Sequence, residues 1–359
     1  MELDVPGFAL GLLAASYAVF PLLLALPIGG LVDRLGERRL MAIGGAAVVL
    51  GCSAFLLFWG GTSVPPALVA GTALLGAGQL ACVVGQQAVV ANNAASTRLD
   101  SAFGYLTFAA SLGQALGPLA ISVVGGASVR PNTNAIFLLA TAMSLVLFLT
   151  TFVISSKVSR GRRTAKGGPM GSAAALLRTP GVVRALATSA TVLAVVDLTV
   201  VYLPALGAER GMTAATVGLM LTVRAVFSMV SRLGLGSMSR KLGRMKLLVL
   251  SLAISTVSLG VAAIPMPVWL LFIVMAFLGL GGLGIGQPLT MSWLSAQAPE
   301  GQRGRALALR LAGNRVGQVV LPSAIGVVAV GLGAAGVFLA SAVAVGGTML
   351  LLRGVRLDD

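Results

Sequence analysis

Three charged residues sit where charge is costly: Asp197, Arg224 and Arg315 lie inside long apolar segments of a 359-residue chain. A charge held in hydrocarbon costs at least a few kcal/mol, so such residues mark a function by default. Asp197 lies 15 residues beyond Val182, about 22 Å along a helix. Arg224 lies 12 residues before Gly236, about 18 Å, and Arg315 lies 9 residues after Ala306, about 14 Å. An acid at such a depth can carry a coupling proton, because desolvation favours its neutral form, and a paired arginine opposes that. Asp197 and Arg224 are therefore expected to form a static buried ion pair or to face one polar path, with proton coupling at Asp197 in the second case. Arg232 and Arg310 lie nearer the basic segment ends and are expected to snorkel to the surface.

Amides occur at similar depths: Gln79, Gln86 and Gln87, then Gln114, Gln287, Asn314 and Gln318. Such groups bind a solute or bond across helices. Gln86, Gln87, Gln114, Asn314, Arg315 and Gln318 are the candidates for lining a solute cavity. Tyr17 is a further candidate, with lipid or core contact as its alternative.

Other chemistries are excluded. The chain has no histidine, which removes the usual general base and most metal sites. Cys52 and Cys82 sit in apolar runs and form no disulfide framework. No phosphate-binding loop is present. GLGGLG at Gly279 matches a dinucleotide fingerprint by letter, but lies within an apolar helical run with no preceding strand. No enzyme activity, cofactor or metal is expected. The net charge of +15 would suit nucleic acid, but the placement of the bases argues for topology instead.

The elements that position these residues are membrane helices. The chain is 57% hydrophobic and 10% charged, against about 25% charged for a soluble domain. Spans of about 20 apolar residues are expected at Phe8–Leu31, Leu40–Gly60, Pro66–Ala91, Phe103–Val124, Ala135–Ser155 and Val182–Leu206. Five more follow at Ala214–Gly236, Leu247–Ile264, Val268–Leu294, Ala306–Val330 and Ala334–Leu352. Alternate connections carry nearly all the bases, among them Arg34, Arg38, Arg39, Arg98, Lys157, Arg160, Arg240, Lys241, Arg244, Lys246, Arg303, Arg305, Arg353 and Arg356; the other side holds only Arg130 and Arg210. By the positive-inside rule the basic set and the C-terminus are cytoplasmic.

The chain repeats itself. GGLVDRLGERR at Gly29 matches GSMSRKLGRMK at Gly236, LLGAGQ at Leu74 matches FLGLGG at Phe277, and GQALGP at Gly113 matches GQVVLP at Gly317. The shifts are 207, 203 and 204 residues. A near-constant shift marks a duplication. The span Val182–Leu206 would find its partner almost wholly before Met1, so the chain is expected to lack the first of twelve helices. The expected organisation is an N-terminal bundle over 1–156, a basic cytoplasmic linker over 157–180 and a C-terminal bundle over 181–359.

Two six-helix halves with a charged loop after the second helix of each resemble the major facilitator superfamily of transporters. Gly29, Leu31, Asp33, Arg34, Gly36 and Arg38 match that family's loop signature, Arg39 adds a base, and Glu37 replaces one. The second copy keeps Gly236, Lys241, Gly243, Arg244 and Lys246 but has Arg240 where the family has the acid. The resemblance implies an all-α integral membrane fold of two pseudo-repeated bundles, and a conformational latch at these loops. Gly113, Gly117 and Pro118 partly match an antiporter signature, with Ile121 and Ser122 in place of its closing glycines; they imply a kinked helix and solute export. Thr72 stands where family drug antiporters have an arginine. Taken together, the resemblance implies a secondary transporter in the cell membrane, of the bacterial inner-membrane kind. It would move a small organic solute, coupled to protons, as a monomer, with efflux preferred over uptake of an organic anion. A non-transporting membrane receptor is the alternative of another class.

Overall fold

A computed structural model describes residues 21, 23–58, 66–125, 132–153, 169–299 and 301–352. Tyr17, Arg130, the linker bases from Lys157 to Lys166, the tail arginines and most of the Phe8–Leu31 span lie outside the described residues. Those described are helical nearly throughout: α1 (23–35), α2 (Glu37–Phe58), α3 (Pro66–Asn93), α4 (Leu99–Gly125), α5 (Thr133–Val153), α6 (Pro169–Arg178), α7 (Val182–Glu209), α8 (Ala214–Leu242), α9 (Arg244–Ala263), α10 (Val268–Leu280), α11 (Gly282–Gln297) and α12 (Arg303–Leu351).

Eight segments among the described residues are long and apolar enough to cross a membrane. They coincide within a few residues with the expected spans from Leu40, Pro66, Ala135, Val182, Ala214, Leu247, Val268 and Ala334. The expected spans Phe103–Val124 and Ala306–Val330 fall inside α4 and α12. Helix α12 is written as one element of 49 residues, but Gly333 breaks it with φ 61° and ψ −159°. Its second arm, Gly331–Leu351, is a span in its own right.

One expectation needs correction. The glycine-rich run at Gly279 is not mid-helix: α10 ends at Leu280 and α11 begins at Gly282, with Gly281 extended between them. The cause is close packing. A Cβ on Gly281 would lie 2.6 Å from Ser255 Oγ, and one on Gly279 would overlap the Arg224 carbonyl. The Ser255 hydroxyl accepts the Leu283 N–H at 3.2 Å, which satisfies one donor freed by the break.

The described chain forms two compact units. The first comprises residues 1–93, 113–173 and 299–309; the second comprises 94–112, 174–298 and 310–359. In the first, α2 packs along α3 and α5. Gly44 and Gly78 set the α2–α3 approach, since a Cβ on either would come within 2.8 Å of the other's carbonyl oxygen. With lipid outside, small residues and close van der Waals contact hold helices together. In the second unit, buried Leu252, Leu278, Leu289, Trp293 and Phe338 belong to one core gathered from α7 to α12.

Candidate functional site

The chemistry sits at two repeat-related loop clusters and one polar seam. The first cluster lies in the first unit. Gly36, with φ 86°, makes the turn between α1 and α2. Asp33, on the last turn of α1, faces the start of α12. Its Oδ1 accepts the Gly304 N–H and its Oδ2 the Arg305 N–H, each at 3.2 Å. These are free donors of a helix N-terminus, where negative charge is favourable. Burial nevertheless pushes the Asp33 carboxyl up from 3.8 to about 7, against the lowering by those two N–H groups and by the Arg305 charge. Gly29 allows the approach, since a Cβ there would lie 3.0 Å from Arg305 Cα. Glu37, where the loop signature has a base, is buried in the first turn of α2 and accepts from Asn92 Nδ2 at 2.6 Å. Arg38 lies 5.8 Å from the Phe152 ring centre, while Arg34 and Arg39 are exposed. Arg303 Nη1 donates to the Ala91 carbonyl.

The second cluster lies in the second unit. Gly243, with φ 79°, turns α8 into α9 as Gly36 turns α1 into α2. The acid missing from this copy is supplied from elsewhere. Asp100, in the first turn of α4, receives Arg244 Nε at 2.9 Å and the Ser239 hydroxyl. Gly236 lies against Ser101, whose hydroxyl a Cβ would overlap. Arg240 donates to the Ser237 hydroxyl at 3.3 Å, and Lys241 is exposed. By the repeat shift of 204, Asp100 corresponds to Gly304, so the acid has moved from the loop to the helix it meets. Two segments, 99–101 and 303–305, thus complete loops that lie far from them in sequence. Only the net basicity of the second loop hinted that an acid was owed.

The seam runs between α7 and α12 in the second unit. Arg310, Asn314 and Gln318 recur every fourth residue and form one stripe. At one end, Ser189 of α7 donates to Asn314 Oδ1 at 2.8 Å. Gln287 of α11 accepts from Arg310 Nη1 at 2.6 Å and from Asn314 Nδ2 at 3.3 Å, and donates to the Ser189 carbonyl at 2.7 Å. At the other end, Gln318 Nε2 donates to Asp197 Oδ2 at 2.6 Å, and its Oε1 accepts from Arg315 at 3.3 Å. Asp197 is half-buried and Arg315 exposed. Arg224 is 8% exposed, and its Nε is buried with no hydrogen-bond partner.

Several expectations change. Asp197 and Arg224 form no ion pair within 4.0 Å, although each lies within the other's electrostatic reach. Arg310 does not snorkel: it is 1% exposed and held by Ser189 and Gln287. Arg232 is likewise held inward, donating to the carbonyls of Gly284 at 2.9 Å and Thr107 at 3.1 Å and to the Ser111 hydroxyl. Pro288, four residues on in α11, has no N–H to give the Gly284 carbonyl, which leaves it open to Arg232. Asn314 is 3% exposed and turned into the packed network. Gln86, Gln87 and Gln114 belong to the first unit, with Gln87 buried and Gln114 exposed. A Cβ at Gly113 or Gly117 would meet nothing within 4 Å, and α4 continues through Pro118.

Solved structures share this fold. The E. coli fucose:proton symporter FucP aligns with a TM-score of 0.78 at 16% identity, over 96% of this chain and 90% of its own. The human organic anion transporter TETRAN aligns at 0.73 and 16% identity, over 96% and 83%. A bacterial homologue of the iron transporter ferroportin aligns at 0.75 and 18% identity, over 98% and 92%. No curated protein sequence matches the chain. The Major Facilitator Superfamily model matches residues 2–212 and again 185–359. With the repeated loops, the apolar helices and that match in hand, the chain belongs to the major facilitator superfamily of transporters.

Proposed function

We propose that the protein is a secondary transporter that moves a small organic solute across the cell membrane by alternating access, with Asp197 carrying the coupling proton. The observation that carries this reading is the hydrogen bond from Gln318 to Asp197 at 2.6 Å, which holds a lone acid at mid-span depth without an arginine against it. An acid so placed can take and release a proton, whereas one locked to a guanidinium stays charged. The excess of bases in these loops supports a cytoplasmic position for the clusters at Asp33 and Asp100 and for the C-terminus. There each acid ties a loop of one sequence repeat to the first turn of a helix of the other. Such ties exist in one transport state and break in the other, so they bias a two-state equilibrium.

Efflux is the direction implied by Gly113, Gly117 and Pro118. Arg224 and Arg315 near Asp197 favour the alternative, in which solute and proton travel together. The test is proteoliposome proton flux, read with a trapped pH dye while a solute panel is added outside. Solute-driven proton movement is expected for the native chain and not for Asp197→Asn. Equal proton movement in the two would remove Asp197 from the reading; none for any solute would remove the reading.

A further inference from the structure

We infer that the solute is an organic anion whose acidic group is held by Arg224, and that one proton on Asp197 travels with it; this rests on the transport reading above.

The argument is one of unbalanced charge. The spanning parts of the second unit hold Arg224 and Arg232 on α8, Arg310 and Arg315 on α12, and a single acid, Asp197 on α7. Helices α10 and α11 carry no charged residue, those of α9 lie in its first turn, and Arg184 and Glu209 lie at the ends of α7. Four cations therefore face one anion, and each is handled differently. Arg232 donates to carbonyls, Arg310 to Ser189 and Gln287, and Arg315 to Gln318 at an exposed position. Arg224 is 8% exposed, its Nε has no hydrogen-bond partner, and no carboxylate among the described residues lies within 4.0 Å.

A guanidinium buried in this way is strongly destabilising unless something compensates it. Asp197 is the acid within reach, yet its Oδ2 is turned to Gln318. Arg224 is left poised for an acceptor from outside the chain. A planar fork of N–H donors suits a carboxylate or phosphate-like group. A cation would be repelled by Arg224 and by Arg232, which lies within its electrostatic reach, and a neutral solute would not offset the charge.

The proton follows from neutrality. Arg232, Arg310 and Arg315 keep their protein partners throughout, so the charges that matter on binding are those of Asp197 and Arg224, which sum to zero in the empty site. When the anion binds Arg224, the sum stays at zero only if Asp197 takes one proton. Solute and proton then cross in the same direction, and no net charge moves. Gln318 bridges to either form of Asp197, donating to the carboxylate or accepting from the neutral acid after an amide turn.

The test uses the full chain in phosphatidylcholine nanodiscs at pH 6. The probes are acetate, lactate, benzoate and nicotinate, each beside its amide, with benzylamine as a cation. At least one carboxylate is expected to raise Tm by several degrees while its amide does not. Arg224→Gln should abolish that shift, and Arg224→Lys should weaken binding tenfold or more, which covers the case where Arg224→Gln does not fold. In vesicles the binding anion should move with one proton each and no current. The inference is overturned if no carboxylate shifts Tm, if an amide or the amine does so equally, or if the Arg224 variants respond as the native chain does. A carboxylate that binds through Arg224 but is never carried into vesicles would overturn the transport reading and leave the site. Proton-coupled flux of an amine would do the reverse.

Discussion

The Asp197 carboxylate is held by the amide of Gln318 at 2.6 Å, and the same amide accepts from Arg315 at 3.3 Å. Gln318 therefore spaces an acid from a base that would otherwise compete for it. Replacing it by Leu removes a hydrogen bond to a charged group, a contribution of about 1.5–3 kcal/mol in general. Gln318→Leu should lower solute-driven proton flux in vesicles several-fold. Asp197→Asn should abolish it, and the double variant should behave as Asp197→Asn alone. A double variant clearly worse than Asp197→Asn would show that Gln318 acts elsewhere.

The Asp33 contact should depend on pH. Docked and buried against Gly304 and Arg305, its carboxyl sits at about 7; undocked and exposed to water it returns toward 3.8, because burial is what raises it. The docked state thus binds more protons between those values. Docking is favoured at acid pH and weakens as pH rises through 7. Amide exchange at Gly304 and Arg305, corrected for the intrinsic rate, should be slower at pH 6 than at pH 8. Asp33→Asn should flatten that difference. An unchanged pH profile in the variant would refute the assignment.

The Asp100–Arg244 bond should show as coupling in a double-mutant cycle. Both side chains are partly shielded, and the Ser239 hydroxyl adds a second donor to Asp100. Asp100→Ala and Arg244→Ala should each lower stability in detergent, with a coupling of about 1 kcal/mol, at the upper end for partly exposed pairs. Additive single effects would mean the bond contributes nothing.

Gly236→Ala should be destabilising by about 1–3 kcal/mol, because its Cβ would overlap the Ser101 hydroxyl. Ser101→Gly in the same chain should restore much of the lost Tm. Failure of that second change to help would place the strain elsewhere.

Gln287→Leu should be among the most damaging changes in the second unit. Gln287 Oε1 accepts from Arg310 at 2.6 Å, and Arg310 is 1% exposed. Removing a buried hydrogen bond to a charged group costs about 1.5–3 kcal/mol. Arg310→Met combined with Gln287→Leu should be milder than Gln287→Leu alone, as read by Tm in detergent.

Most of the architecture could be read from local pattern. A span announces itself through some 20 apolar residues in a row, and the repeats through letters at a near-constant shift. Gly36 and Gly243 mark their turns because few other residues accept a positive φ. Asp33 was recognisable because its loop signature is contiguous. The break at Gly281 was not, because it depends on how closely Ser255 and Arg224 approach, and neither is near it in sequence.

By itself the sequence determined that this chain spans a membrane as two related sets of helices, which loops carry their charge, and which charges lie deep. Those properties follow from hydropathy and periodicity, which act over neighbouring residues. Only tertiary structure decided the partners. It gave Asp197 to Gln318 rather than Arg224, supplied the second loop's acid from Asp100, and turned Arg310 inward onto Gln287. Hydrogen bonds and ion pairs act over about 3 Å between residues as far as 272 positions apart. Spacing along the chain carries no information at that range.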